Sequence, residues 1–198
     1  MKGYKALNMD MSSAYGDMSY EIGKKYTIIG KLQMCKNGFH FCEELEDIEN
    51  HYTITESRIF EIEAEGKIID EYDKSCAESI TLIRELSNEE IRQYFVDNQE
   101  RILEKYYLCR KALADQGLCL DKLVYDGNPH VRKAVAKQNY DLETLIHDKN
   151  PWVRVAVAEQ GYRLDTLVND GNPYVRATVA EQGYGLDVLV YDEDELVR

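Results

Sequence analysis

Cys35, His40, Cys42 and His51 are the side chains whose chemistry stands out first. Thiolate and imidazole are ligands that zinc prefers, and four of them would complete a tetrahedron. Their spacing is unlike the paired Cys and His runs that hold structural zinc, so no metal and no cofactor is expected. His40 and Cys42 stand two apart in a strand-like run and would share a face, as a thiol nucleophile and its base must. Cys42 reads better as a small buried hydrophobe. No glycine loop of the phosphate-binding type occurs. The five cysteines are odd in number and form no Cys-x-x-Cys pair, so reduced thiols are expected.

Beyond Tyr106 the polar residues fall into columns. Asn128-Pro129-His130-Val131-Arg132 returns 22 residues later as Asn150-Pro151-Trp152-Val153-Arg154, and again as Asn172-Pro173-Tyr174-Val175-Arg176. Gln138, Gln160 and Gln182 keep the same phase, as do Leu142, Leu164 and Leu186. Arg110, Ala112, Ala114, Gln116, Leu120, Leu123 and Asp126 form a degenerate first copy, and Val197 and Arg198 open a fifth. The column Arg110, Arg132, Arg154, Arg176 and Arg198 could be a stripe for anions. Two acidic columns accompany it: Asp121, Glu143, Asp165 and Asp187, and Asp126, Asp148, Asp170 and Asp192. A guanidinium fork suits a carboxylate, so a structural ladder between layers is the favoured reading. Tyr140, Tyr162 and Tyr184 are expected in the core, and the Gln column at helix-end hydrogen bonds. His130, Trp152 and Tyr174 differ in identity but stay large. Trp and Tyr often anchor interfaces, which makes these three the candidates for partner binding. Packing on the preceding turn is the alternative.

The elements that position these columns follow from the 22-residue unit. Asn150 can cap a helix through its side-chain oxygen, and Pro151 fits the first helical position. Val153, Ala156 and Val157 then share one face. Gly161 suits the left-handed residue after the helix, and Leu164 to Val168 make a second, shorter turn. One such unit cannot bury its own apolar face, so the copies must stack into a solenoid. The first hundred residues read differently. Strand-like runs occupy Tyr4 to Leu7, Tyr26 to Ile29, Gly38 to Cys42, Arg58 to Ala64, Lys67 to Ile69 and Ile80 to Arg84. Glu65-Gly66 is expected to turn a hairpin, and residues 43–52 to form a short acidic helix. Ser87 and Glu90 form a capping box for a helix running to about Tyr107, expected to cap the stack. The fold class is therefore a small α+β domain (1–86), a connecting helix (87–105) and an all-α solenoid of short helices and α or 3₁₀ turns (106–198).

Charge excludes some functions. The chain of 198 residues has a net charge of −13, and both halves are acidic: 13 Lys and Arg against 22 Asp and Glu over 1–105, and 11 against 15 over 106–198. Nucleic acids and anionic membranes usually need a basic footprint. No run of apolar residues is long enough to span a bilayer, and the start lacks the apolar core of a signal peptide. A cytoplasmic protein with a protein partner is the expectation; the oligomeric state is left open.

The repeat columns resemble the leucine-rich-repeat-variant family and, more loosely, HEAT repeats, over about residues 106–198. The resemblance implies a right-handed α-solenoid in which, as in the variant family, short α and 3₁₀ helices alternate. Some members of the variant family carry an iron–sulfur cluster on clustered cysteines, which this chain lacks. The string Asn37-Gly38-Phe39-His40-Phe41-Cys42, followed by an acidic segment, resembles the strand and helix of ADP-ribosyltransferase-like folds. That likeness implies that Tyr4-Lys5-Ala6 lies on the strand supporting a nicotinamide dinucleotide. It makes Tyr4, His40 and Glu85 the catalytic candidates. The family's first-strand His-Gly or Arg-Gly and its Ser-Thr-Ser signature are absent here. With Tyr20-Glu21-Ile22-Gly23, these strings also resemble small uncharacterised domains of phage and Gram-positive bacteria. The leading expectation is a non-enzymatic interaction protein; the alternative is a nucleotide-binding or transferase domain targeted by the repeats.

Overall fold

Apolar and charged side chains alternate along Arg58-Ile-Phe-Glu-Ile-Glu-Ala, and in the computed structural model this run starts the longest strand of the first unit. The structure describes residues 1–13 and 18–198. It divides into two compact units, Met1–Ile102 and Leu103–Arg198. In the first unit the strands are β1 (Lys2–Leu7), β2 (Lys25–Thr27), β3 (Phe39–Phe41), β4 (Arg58–Asp70) and β5 (Ser75–Glu85). They form an antiparallel sheet in the order β1-β4-β5-β2, with β3 also paired to β5. A bridge between Tyr4 and Cys42 ties β1 to the end of β3, so the pairing runs from β1 through β4, β5 and β3 back to β1. Gly3 allows this approach: a Cβ there would lie 2.6 Å from the Cys42 carbonyl oxygen and 2.7 Å from the Phe41 ring. Leu7, Phe60, Ile62, Ile80 and Leu82 fill the core. Each contributes about 1.5–3 kcal/mol of burial free energy.

Two local expectations are corrected here. Glu65-Gly66 does not turn a hairpin. Gly66, at φ +80°, sits at a register shift inside β4, and the chain reverses at Glu71–Lys74 instead. The short acidic helix expected after β3 is present, as a 3₁₀ helix over Leu45–Asn50. Helix α1 (Asn88–Leu103) begins at the Ser87–Glu90 capping box, where Glu90 N–H donates to Ser87 Oγ and Ser87 N–H to Glu90 Oε2. It ends at Leu103, short of Tyr107, because Tyr106 turns extended and a new helix starts after it.

That new helix opens the repeats. The longer helices are α2 (Tyr107–Asp115), α4 (Pro129–Lys137), α6 (Pro151–Glu159) and α8 (Pro173–Glu181). Between and after them come single turns α3 (Leu120–Leu123), α5 (Leu142–Leu145), α7 (Leu164–Leu167) and α9 (Leu186–Leu189). Both series start every 22 residues. Asn128, Asn150 and Asn172 each accept a hydrogen bond from the N–H two residues on, and each is followed by Pro at the first helical position. Val131, Val135, Val153, Val157, Val175 and Val179 are fully buried as α2, α4, α6 and α8 stack in order. The Tyr column does not join this core. Tyr140 and Tyr184 are exposed, and Tyr162 lies on the surface with its hydroxyl 2.7 Å from Glu143. The left-handed residues just before them, such as Asn139, Gly161 and Gly183, end the helices and turn the rings outward.

Candidate functional site

In the first unit, strand β1 carries a lysine at an inward position two residues before the fully buried Leu7. Lys5 is only 7% exposed. It lines a cavity of about 840 Å³ beside β3 and the 3₁₀ helix. Its ammonium donates to the His40 carbonyl at 2.7 Å and lies 5.3 Å from the centre of the Tyr20 ring. Burial holds its pKa down at about 8, partly opposed by the nearby Cys42 and Cys76 thiols. Tyr4, Tyr20, Phe39, Phe41 and Tyr52 supply aromatic walls. Burial also pushes the Tyr20 phenol up to about 12.

His40 lines the same cavity. Its Nε2 accepts from the Cys35 N–H at 3.0 Å, so the imidazole is turned away from service as a base for Cys42. Burial and then the charges of Lys5 and Lys74 keep it below the ordinary histidine range, and hence neutral at pH 7. Lys74 Nζ stands 3.5 Å from Cys35 Sγ. Cys35, His40, Cys42 and His51 all line the cavity, yet among the described residues no three His, Cys, Asp or Glu side chains gather to hold a metal ion. Tyr4 reaches the cavity and packs edge-on against Tyr94 at 5.7 Å. Glu85 does not reach it. It ends β5, where Arg58 grips it at 2.8 and 2.5 Å, and that bond lowers its pKa. Tyr4 and His40 are thus brought together and Glu85 is kept apart.

A second buried polar cluster fixes α1. The Tyr94 hydroxyl lies 2.7 Å from Glu44 and 2.8 Å from Glu46, and Arg101 pairs with Glu46 at 2.6 Å. Burial and these carboxylates push the Tyr94 phenol far up, so it stays a donor. The network clamps the helix to the 3₁₀ segment.

Residues 1–93 match the family model described as a domain of unknown function, DUF7666. The match stops short of the repeats, and no curated protein and no solved structure matched the chain.

The repeat columns occupy two faces of the second unit. Each Arg forks onto the Asp sixteen residues on: Arg110 to Asp126, Arg132 to Asp148, Arg154 to Asp170 and Arg176 to Asp192. The third guanidinium nitrogen reaches back to a carbonyl. For Arg132, Arg154 and Arg176 that carbonyl belongs to the preceding Asp of the same column. Arg110, Arg132, Arg154 and Arg176 are therefore committed to the array, whereas the exposed Arg198 reaches only the Asp192 carbonyl and, at 3.8 Å, Glu195. Burial alone would raise Asp148 and Asp170, but the Arg forks and the Asn N–H bonds outweigh it and hold both low. Gln138 Nε2 donates to the Asp115 carbonyl of the preceding copy at 3.2 Å.

His130, Trp152 and Tyr174 lie on the outer face. Trp152 is 49% and Tyr174 48% exposed, and their rings stand 5.0 Å apart. His130 pairs instead with Tyr107, at 6.0 Å, and Lys133 sits 5.9 Å from the Trp152 ring centre. Leu196, also exposed, continues the line 22 residues after Tyr174. Tyr107 and Lys5 are the site residues that sequence reading missed. Tyr107 falls one place off its column, and a lysine is read by default as surface.

Proposed function

We propose that the repeat unit is a docking surface for a protein partner that presents an exposed basic segment, acting in the cytoplasm. The observation that carries it is the row of half-exposed rings along one face of a rigid array. The Val columns beneath it are spent on packing. Fully committed Arg–Asp forks hold that face in register. The charge around the row favours a basic partner: residues 128–198 carry eight Lys and Arg against twelve Asp and Glu, and three of those Arg are locked in forks. Arg and Lys side chains also pack well on Trp and Tyr faces. The likeness of the columns to leucine-rich-repeat-variant and HEAT arrays supports the same reading. A transferase reading of the first unit would need a carboxylate in the cavity with Tyr4 and His40, and Glu85 is held elsewhere by Arg58.

Trp152 is the single tryptophan of the chain, so its fluorescence reports this face directly. Titration with Lys/Arg-rich peptides should shift its emission, with acidic peptides of equal length inert. Tyr174→Ala and the pair Glu159→Lys with Glu181→Lys should each weaken the response on the order of tenfold or more. An unchanged spectrum, or equal affinity after charge reversal, would sink the proposal.

A further inference from the structure

The cavity of the first unit is unlike the rest of an acidic protein. Among the described residues lining it there is no Asp or Glu, although the chain carries 37 of them. Lys5, Lys36 and Lys74 line it, with His40 and His51. Glu71 lies 3.8 Å from Lys74, and Asp73 lies 3.4 Å from His51. Among the described residues Lys5 has no such neighbour. An ammonium has three donors, and the Lys5 side chain spends one of them on the His40 carbonyl. A buried cation without a carboxylate destabilises a fold unless something completes its shell. The walls facing it are flat rings, and a cavity near 840 Å³ is of the size that takes small organic ligands.

We propose that this cavity binds a small planar organic oxyanion, an aromatic ring carrying a carboxylate or phosphate, with the oxyanion on Lys5 and the ring between the aromatic walls. The oxyanion would use the two spare donors of Lys5 in charge-assisted hydrogen bonds. The flat body would gain from Tyr and Phe faces, which favour stacked or edge-on rings. Neutral His40, held by Cys35 N–H, offers its other ring nitrogen as a donor without adding charge. The proposal is for binding alone. This proposal stands apart from the docking surface, because the two lie in different units.

The test is calorimetric titration of the full chain with adenosine 5′-monophosphate, 2-naphthoate, inorganic phosphate and neutral adenosine. One or both ringed anions should bind, with phosphate alone and adenosine at least tenfold weaker. Preference for the nucleotide would identify a phosphate source and preference for naphthoate a carboxylate source. Lys5→Met keeps the length of the side chain and removes the charge. It should weaken anion binding on the order of 100-fold and raise the melting temperature, an outcome a merely structural lysine would not give. Failure of both ringed anions to bind, adenosine binding as tightly as its phosphate, or full affinity in Lys5→Met would each overturn the proposal. If Lys5→Met does not fold, the comparison of adenosine with its phosphate on the natural chain decides alone.

Discussion

Lys5 and Arg132 are equally buried, each 7% exposed, and the two units treat them in opposite ways. Arg132 spends two nitrogens on Asp148, at 2.5 and 2.8 Å, and a third on the Asp126 carbonyl at 2.7 Å. Lys5 has one carbonyl and an aromatic ring. In the repeats a buried charge is a fastener, consumed by the joint it makes and copied with the period. In the first unit it is an unfilled valence beside a cavity. The difference separates scaffolding charge from charge kept for a ligand, and it can be measured.

The largest effect should come from Arg132→Ala. It strands the buried Asp148 carboxylate and frees the Asp126 carbonyl, so a loss of roughly 3–5 kcal/mol in urea unfolding is expected. Neighbouring layers share the joint, so the loss should be felt by the whole array. The matching change in the first unit, Arg84→Ala, removes an exposed pairing with Glu61 and Glu90, and should cost far less than Arg132→Ala. Equal costs would erase the distinction. Acid should weaken the forks of the repeats. Asp148 and Asp170 are held below their unfolded pKa, so their contribution is present above about pH 4 and fades as pH falls through the lowered values.

Lys5→Met should move stability the other way. The folded pKa of Lys5, about 8, lies below its ordinary 10.5. Below pH 8 both states carry the proton and the fold bears the full cost of the buried charge. Between those values the unfolded chain binds more protons, so stability rises with pH. The gap corresponds to about 3 kcal/mol, an upper figure for the gain from Lys5→Met at neutral pH. The advantage should shrink as pH climbs from 8 towards 10.5. Tyr20, Cys42, Cys76 and the His40 carbonyl are the groups facing it; burial pushes the Tyr20 phenol up to about 12, above that window, and raises the Cys76 thiol. A loss of stability in Lys5→Met at pH 7 would make Lys5 a fastener like Arg132.

The contrast also decides what could be read from residues alone. The period carries its own structural code: Asn caps, Pro starts, Val packs, and each copy repeats the message. Even so, two acidic columns stood in phase with the arginines. The fork selects Asp126, Asp148, Asp170 and Asp192, because each lies at the turn two residues before a cap, where it also accepts the N–H of Asn128, Asn150, Asn172 or Asp194. Nothing in the spacing favoured that column over the other. In the first unit there is no second copy to check against. Gly66 looks like a hairpin turn and is a bulge, because the partner strand continues past it. The burial of Lys5 depends on β3 folding back from about 35 residues away to place the His40 carbonyl and the Phe41 ring beside it. That is tertiary information with no local signal.

The smallest effect tests whether the repeats act as one body. Asn150 caps α6 by accepting the Trp152 N–H at 2.9 Å, and Ser87 caps α1 by accepting the Glu90 N–H at 3.2 Å. Removing either cap as Asn150→Ala or Ser87→Ala should cost about 1 kcal/mol. The consequences should differ in kind. Ser87 starts a helix already clamped by Tyr94 and Arg101, so its loss should fray one end. Asn150 sets the backbone of Trp152 itself and is fed by Asp148, which Arg132 holds. Loss of that cap should therefore change Trp152 emission and loosen basic-peptide binding several-fold at modest cost in stability. An emission spectrum identical to that of the natural chain would show the ring is placed by its contact with Tyr174 instead, and the docking face would then be independent of the ladder beneath it.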